Sequence, residues 1–129
     1  MTSGSPVSDR LLRRQRRLVA MLRLVGIVDS MALLAVVMPT SMMADIHDAI
    51  GLGPFPDGRL VRYLTRSTSL LYAMFGVLMF YLSFYVVRFR PVIQFFSALF
   101  ACCGVLFLGI DIAESMPLWW TLGEGPLVI

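Results

Sequence analysis

Charge is scarce in this 129-residue chain: Asp, Glu, Lys and Arg together make up 15% of it, against 58% hydrophobic residues and a mean hydropathy of +0.81. A soluble domain carries about a quarter charged residues, and a disordered chain lacks this much apolar surface, so both classes are excluded. Lysine is absent; all eleven positive residues are Arg. His47 is the only histidine, which rules out haem held by paired intramembrane histidines. The two cysteines, Cys102 and Cys103, are adjacent and form neither a CxxC redox pair nor a zinc set. Glycine-rich phosphate loops, a Ser/His/Asp constellation, HExxH and internal repeats are likewise missing. No catalytic residue, metal site or cofactor is therefore predicted, and the chain reads as a non-enzyme.

What is present is long apolar sequence, and it predicts an all-α membrane protein. Each bilayer crossing needs about 20 residues, so this length holds one membrane domain of three or four crossings. Three spans are legible, at about 18–38, 67–87 and 92–112. They predict a bundle of three transmembrane helices whose second member, beginning at Arg59, extends outside the bilayer. The domain organisation is then a disordered basic cytoplasmic N-terminus over residues 1–17 followed by a single helical domain over 18–129. Pro39 ends or kinks the first span, and Arg88 to Pro91 makes a connection so short that the second and third spans must be antiparallel neighbours. Pro91 suits the first turn of the third helix.

The arginines are placed unevenly. Arg10, Arg13, Arg14, Arg16 and Arg17 form a juxtamembrane cluster that attracts anionic lipid headgroups. With Arg23, Arg88 and Arg90 they put eight arginines on the N-terminal side of the membrane, against Arg59, Arg62 and Arg66 on the other. The positive-inside rule then sets the N-terminus in the cytoplasm and, with three crossings, the C-terminus outside. A basic run abutting an apolar segment is a topology signal before it is a nucleic-acid arm, so no nucleic-acid partner is predicted. A cleaved signal peptide fits less well, because the apolar run is long, carries Asp29 and is followed by SMMAD rather than a small-x-small site.

Asp29 is the residue most in need of explanation. Arg23 can snorkel to the headgroups, whereas Asp29 lies roughly 9 Å deeper at 1.5 Å per residue, on a stem too short to reach water. It reads either as a proton-carrying group or as a polar contact to Tyr72, Tyr81 or Ser83; Tyr72 and Gln94 are the other intramembrane polar candidates. Outside the bilayer, Arg59, Arg62 and Arg66 share a helix face with Tyr63 at a depth similar to Asp111 and Glu114. An ion pair of Arg62 or Arg66 with Asp111 is the structural reading, and an anion site on the Arg face the functional one. Met38 with Met42, and Met43 with His47, are four apart, but Pro39 interrupts the geometry and methionine is ordinary apolar filler, so no metal is expected. Gly26 with Ser30, Ala73 with Gly76, and the run of Ser97, Ala98, Ala101, Cys102, Cys103 and Gly104 leave grooves where helices can approach closely.

The stretch Arg62, Tyr63, Leu64, Arg66, Ser67, Ser69, Leu70, Leu71, Tyr72 and Ala73, then Arg90–Pro91, Ile110–Asp111 and the tail PLWWTLGEGP over 117–126, resembles a family of small uncharacterised bacterial inner-membrane proteins of unknown function, of the kind common in planctomycetes. The likeness covers about residues 24 to 126 and implies a bacterial inner-membrane location without implying an activity. Together these readings lead to the expectation of a non-catalytic accessory or assembly subunit acting by helix packing, with the lipid bilayer, other membrane proteins or a second copy as partners. The competing expectation is a small oligomeric transporter or proton-coupled carrier that uses Asp29 and the external Arg face.

Overall fold

The computed structural model describes residues 6–122, with side chains from residue 10 onward. Among the described residues the regular structure is all helix, without strands: α1 (Pro6–Ser30), α2 (Leu33–Val37), α3 (Thr40–Ala49), α4 (Arg59–Leu82) and α5 (Arg90–Ala113). They fall into two units, one up to Val86 and one from Val87.

In the first unit, α1 starts with Pro6 and runs through the arginine cluster without interruption. The basic segment expected to be disordered is thus helical from residue 6 on, for two local reasons. Proline is preorganised for a first turn, and Leu, Arg and Gln are good helix formers. Residues 1–5 lie outside the described residues. The first span also differs from the single helix expected over 18–38. Ser30 donates its hydroxyl to the Gly26 carbonyl at 2.6 Å, and the chain then tightens. The amides of Ala32, Leu34 and Ala35 bond the carbonyls of Asp29, Met31 and Ala32, three residues back, at 3.0–3.1 Å. This short tight stretch separates α1 from α2. Met38 is extended, as the residue before a proline must be, and α2 stops there.

α3 ends in a Schellman motif. The Gly51 amide bonds the Asp48 carbonyl at 2.9 Å and the Leu52 amide bonds the His47 carbonyl at 3.1 Å, with Gly51 at φ +80°. α4 then returns antiparallel to α1 and α2, with Ser83 beside Arg23 at one end and Arg66 beside Met38 at the other. It ends at Leu82, short of the expected span of 67–87. The Ser83 hydroxyl bonds the Phe80 carbonyl at 2.6 Å, and the aromatic and β-branched run after it propagates a helix poorly.

In the second unit α5 opens at Arg90 with Pro91 in its first turn, as expected, and extends the predicted 92–112 by two residues at the start and one at the end. A second Schellman motif closes it. The Met116 amide bonds the Asp111 carbonyl at 2.9 Å, and Ser115, not glycine, takes the left-handed position at φ 55°. Residues 118–122 are helical again; the rest of the predicted PLWWTLGEGP signature, from residue 123, lies outside the described residues.

Among the described residues two stretches are long and apolar enough to cross a membrane, Arg10–Val37 and Arg90–Ala113, and 11% of the apolar window within each is buried. A core helix of a soluble protein has most of its apolar surface covered; these present Leu24, Ile27, Val28, Val105, Leu106 and Ile110 outward. α4 falls outside this class, because its first turns carry Arg59, Arg62 and Arg66 and its helix stops at Leu82.

Candidate functional site

The tightest feature of the first unit is the crossing of α1 and α4. A Cβ placed on Gly26 would lie 2.7 Å from the Phe80 amide nitrogen and 2.9 Å from the Gly76 carbonyl oxygen. One placed on Gly76 would strike the Ser30 amide nitrogen and come within 2.7 Å of Gly26 O and Ser30 Oγ. Real Cβ atoms do not approach that closely, so backbone meets backbone here, and only glycine fits on either side. Ala73, Met79 and Leu82 continue the buried face of α4, and Leu22 lies buried on α1. The structure therefore unites Gly26, Ser30 and Gly76, the small residues that the spacing singled out.

On the N-terminal side of the crossing, Arg23 reaches the end of α4. Its Nε donates to Ser83 Oγ at 3.4 Å, and its guanidinium lies 5.2 Å from the centre of the Phe84 ring. Ser83 is itself 3% exposed and is already bonded to Phe80, so Ser83 serves Arg23 and not Asp29. Asp29 is half-buried, and its carboxylate has no hydrogen bond or ion pair among the described residues. The expected contact of Asp29 to Tyr72, Tyr81 or Ser83 is thus not formed. The carboxylate sits instead where α1 tightens, its backbone carbonyl accepting from Ala32. Tyr72 and Gln94 are both exposed, on α4 and α5 respectively.

At the far end, two of the three arginines of α4 are engaged within the first unit. Arg62 pairs with Asp57 at 2.8 Å, and since Asp57 is 95% exposed this ion pair is worth little. Arg66 donates from Nη2 to the Met38 carbonyl at 3.2 Å, capping the orphan C-terminal end of α2, a favourable place for a cation. Its Nε is buried without a hydrogen-bond partner among the described residues. Arg59 and Tyr63 are exposed. Sequence reasoning missed the Arg66 cap; the signal available was Pro39, which forces Met38 out of the helix and so leaves the last carbonyls of α2 without intrahelical partners. His47, set aside as a metal ligand, locks the loop instead. Its Nδ1 donates to the Gly53 carbonyl at 2.8 Å, and its ring meets Phe55 edge to face at 5.4 Å.

In the second unit Asp111 is 5% exposed, and its Oδ2 finds no partner among the described residues, while Glu114 is exposed. Cys102 is exposed and Cys103 half-buried, both as free thiols. Among the described residues no three of His, Cys, Asp and Glu gather as a metal site would require. No protein-family model, curated protein or solved structure matches the chain.

Proposed function

We propose that the chain is a multi-pass bacterial inner-membrane protein with its N-terminus in the cytoplasm. Its three membrane-spanning helices are α1 with α2, then α4, then α5, and it works without catalysis as an accessory or assembly subunit through helix packing. The observation that carries this reading is the depth match in the first unit. Residues 66–83 lie alongside residues 23–38, pinned by Arg66 to Met38 at one end and by Arg23 to Ser83 at the other. At 1.5 Å per residue, 66–83 is about 25 Å of helix and turn, close to the hydrocarbon thickness of a bilayer. If the apolar α1–α2 segment crosses, α4 is carried through with it despite its more polar sequence. Its arginines then emerge on the far side with Tyr63, while Tyr72, Tyr81 and its small residues stay within.

A second reading rests on Asp29. An unpaired carboxylate beside a tightened turn, inside an apolar span, is the kind of group that moves protons in carriers. The substitution Asp29→Asn separates the two, since it keeps shape and hydrogen bonding and removes the ionisable proton. The accessory reading expects Asp29→Asn to assemble normally, to keep whatever membrane proteins co-purify with the wild type, and to leave a liposome proton leak unchanged. Proton flux in wild-type liposomes that Asp29→Asn abolishes would replace it with the carrier reading.

A further inference from the structure

Resting on the membrane reading just given, we infer that the N-terminal half of α1 holds a binding site for one anionic phospholipid, its phosphate bridged by Arg16 and Arg23. A shallow groove of about 440 Å³ runs along this helix, lined by Leu12, Gln15, Arg16, Val19, Ala20 and Arg23. At 3.6 residues per turn these positions form one stripe, with a guanidinium at positions 16 and 23 and apolar carbon between them. Arg10, Arg14 and Arg17 fall around the other side of the same helix.

Three features make this stripe more than diffuse positive charge. Between residues 10 and 28 every ionisable side chain is an arginine, so only an anion complements it. Arg23 is already ordered before any ligand arrives, through Ser83 and the Phe84 ring, and so loses less side-chain freedom on binding than a free surface arginine. Its Nε is occupied by Ser83, which leaves the two terminal nitrogens as donors for a bidentate phosphate contact. Arg16 and Arg23 stand seven residues, about 10.5 Å, apart along the axis, a gap that two long side chains converging on one phosphate can close, while Val19 and Ala20 between them offer apolar carbon to the lipid. A free phosphate would use the guanidiniums and leave that apolar surface uncovered; a phospholipid uses both.

The test uses the full chain in nanodiscs of one part phosphatidylglycerol to four parts phosphatidylcholine, with retained lipid counted by mass spectrometry after detergent extraction. The wild type is expected to retain phosphatidylglycerol with about 30-fold enrichment over the bulk ratio, in line with two arginines near a lipid surface. The double substitution Arg16→Gln/Arg23→Gln should abolish that enrichment, whereas Arg14→Gln/Arg17→Gln, which removes the same charge from the other side, should keep most of it. Arg23→Lys should lose most of it, because an ammonium cannot make the bidentate contact. Equal losses in the two doubles, or no enrichment in the wild type, would overturn the site, as would displacement of the lipid by 10 mM inorganic phosphate. Alkaline extraction of the same preparations keeps the two proposals apart. A chain that stays in the membrane without enrichment loses only the lipid site, and a chain that alkali releases loses both.

Discussion

Gly26 and Gly76 at the α1–α4 crossing and Gly109 on α5 are the same residue in the same kind of apolar helix, yet the structure uses them in opposite ways. At Gly26 and Gly76 the absence of a side chain lets two backbones touch. At Gly109 on α5 a Cβ would meet nothing within 4 Å among the described residues. Glycine costs a helix about 0.5–1 kcal/mol relative to alanine, so it is retained without local gain at 109 and with a clear packing reason at 26 and 76. Small-residue patterning thus announces where helices can meet, and the partner's backbone decides where they do.

The sharpest way to break this contrast is to add one methyl group on each side of it. Gly76→Ala should destabilise the detergent-solubilised protein by about 1–3 kcal/mol, because Ser30 and the Gly26 carbonyl are backbone-anchored and cannot step aside. Thermal unfolding followed by circular dichroism reads this as a lowered midpoint. Removing the other fastening of the first unit comes next. Arg66→Ala should cost about 1 kcal/mol by uncapping α2 at Met38, measured the same way, with Arg62→Ala as a near-neutral companion since its pair with Asp57 is exposed. In the second unit the signs reverse. Ser115→Gly should raise stability by up to about 1 kcal/mol, since Ser115 holds a left-handed conformation that glycine adopts freely. Gly109→Ala should give a smaller change still, about 0.5 kcal/mol toward greater stability. If Gly76→Ala and Gly109→Ala behave alike, the crossing is not where the first unit gets its stability.

The same contrast explains what could be read in the letters and what could not. The bounds of α5 were readable to within two residues, because Pro91 opens it and a long apolar run fills it. Gly26 with Ser30 and Ala73 with Gly76 were readable as surfaces where a helix can approach closely, because small residues recur at helical spacing, but that these two surfaces meet each other was not. The tightened stretch after Ser30 was not, since residues such as Ala32 and Leu34 are equally at home in an uninterrupted helix and the change is one of hydrogen-bond register. The stop at Leu82 hides for a similar reason: a single serine hydroxyl at 83 competes with the helix ladder inside a sequence that stays apolar to Val87. The Arg66–Met38 cap joins residues 28 apart, and only the antiparallel return of α4 brings them together. The letters mark Asp29 as a polar group within an apolar stretch but do not give its surroundings: Ser83, one of the contacts expected for it, is taken by Arg23 and Phe80.

The proposed topology requires α4 to cross the membrane with α1 and α2, which makes the number of crossings odd although, among the described residues, two stretches are apolar enough to cross on their own. Compartment-specific reporters inserted ahead of α1 and after residue 122 measure this directly. A cytoplasmic signal from the first and an external signal from the second is the predicted result. Two reporters active in the same compartment would show that α4 stays out of the bilayer and would contradict the account.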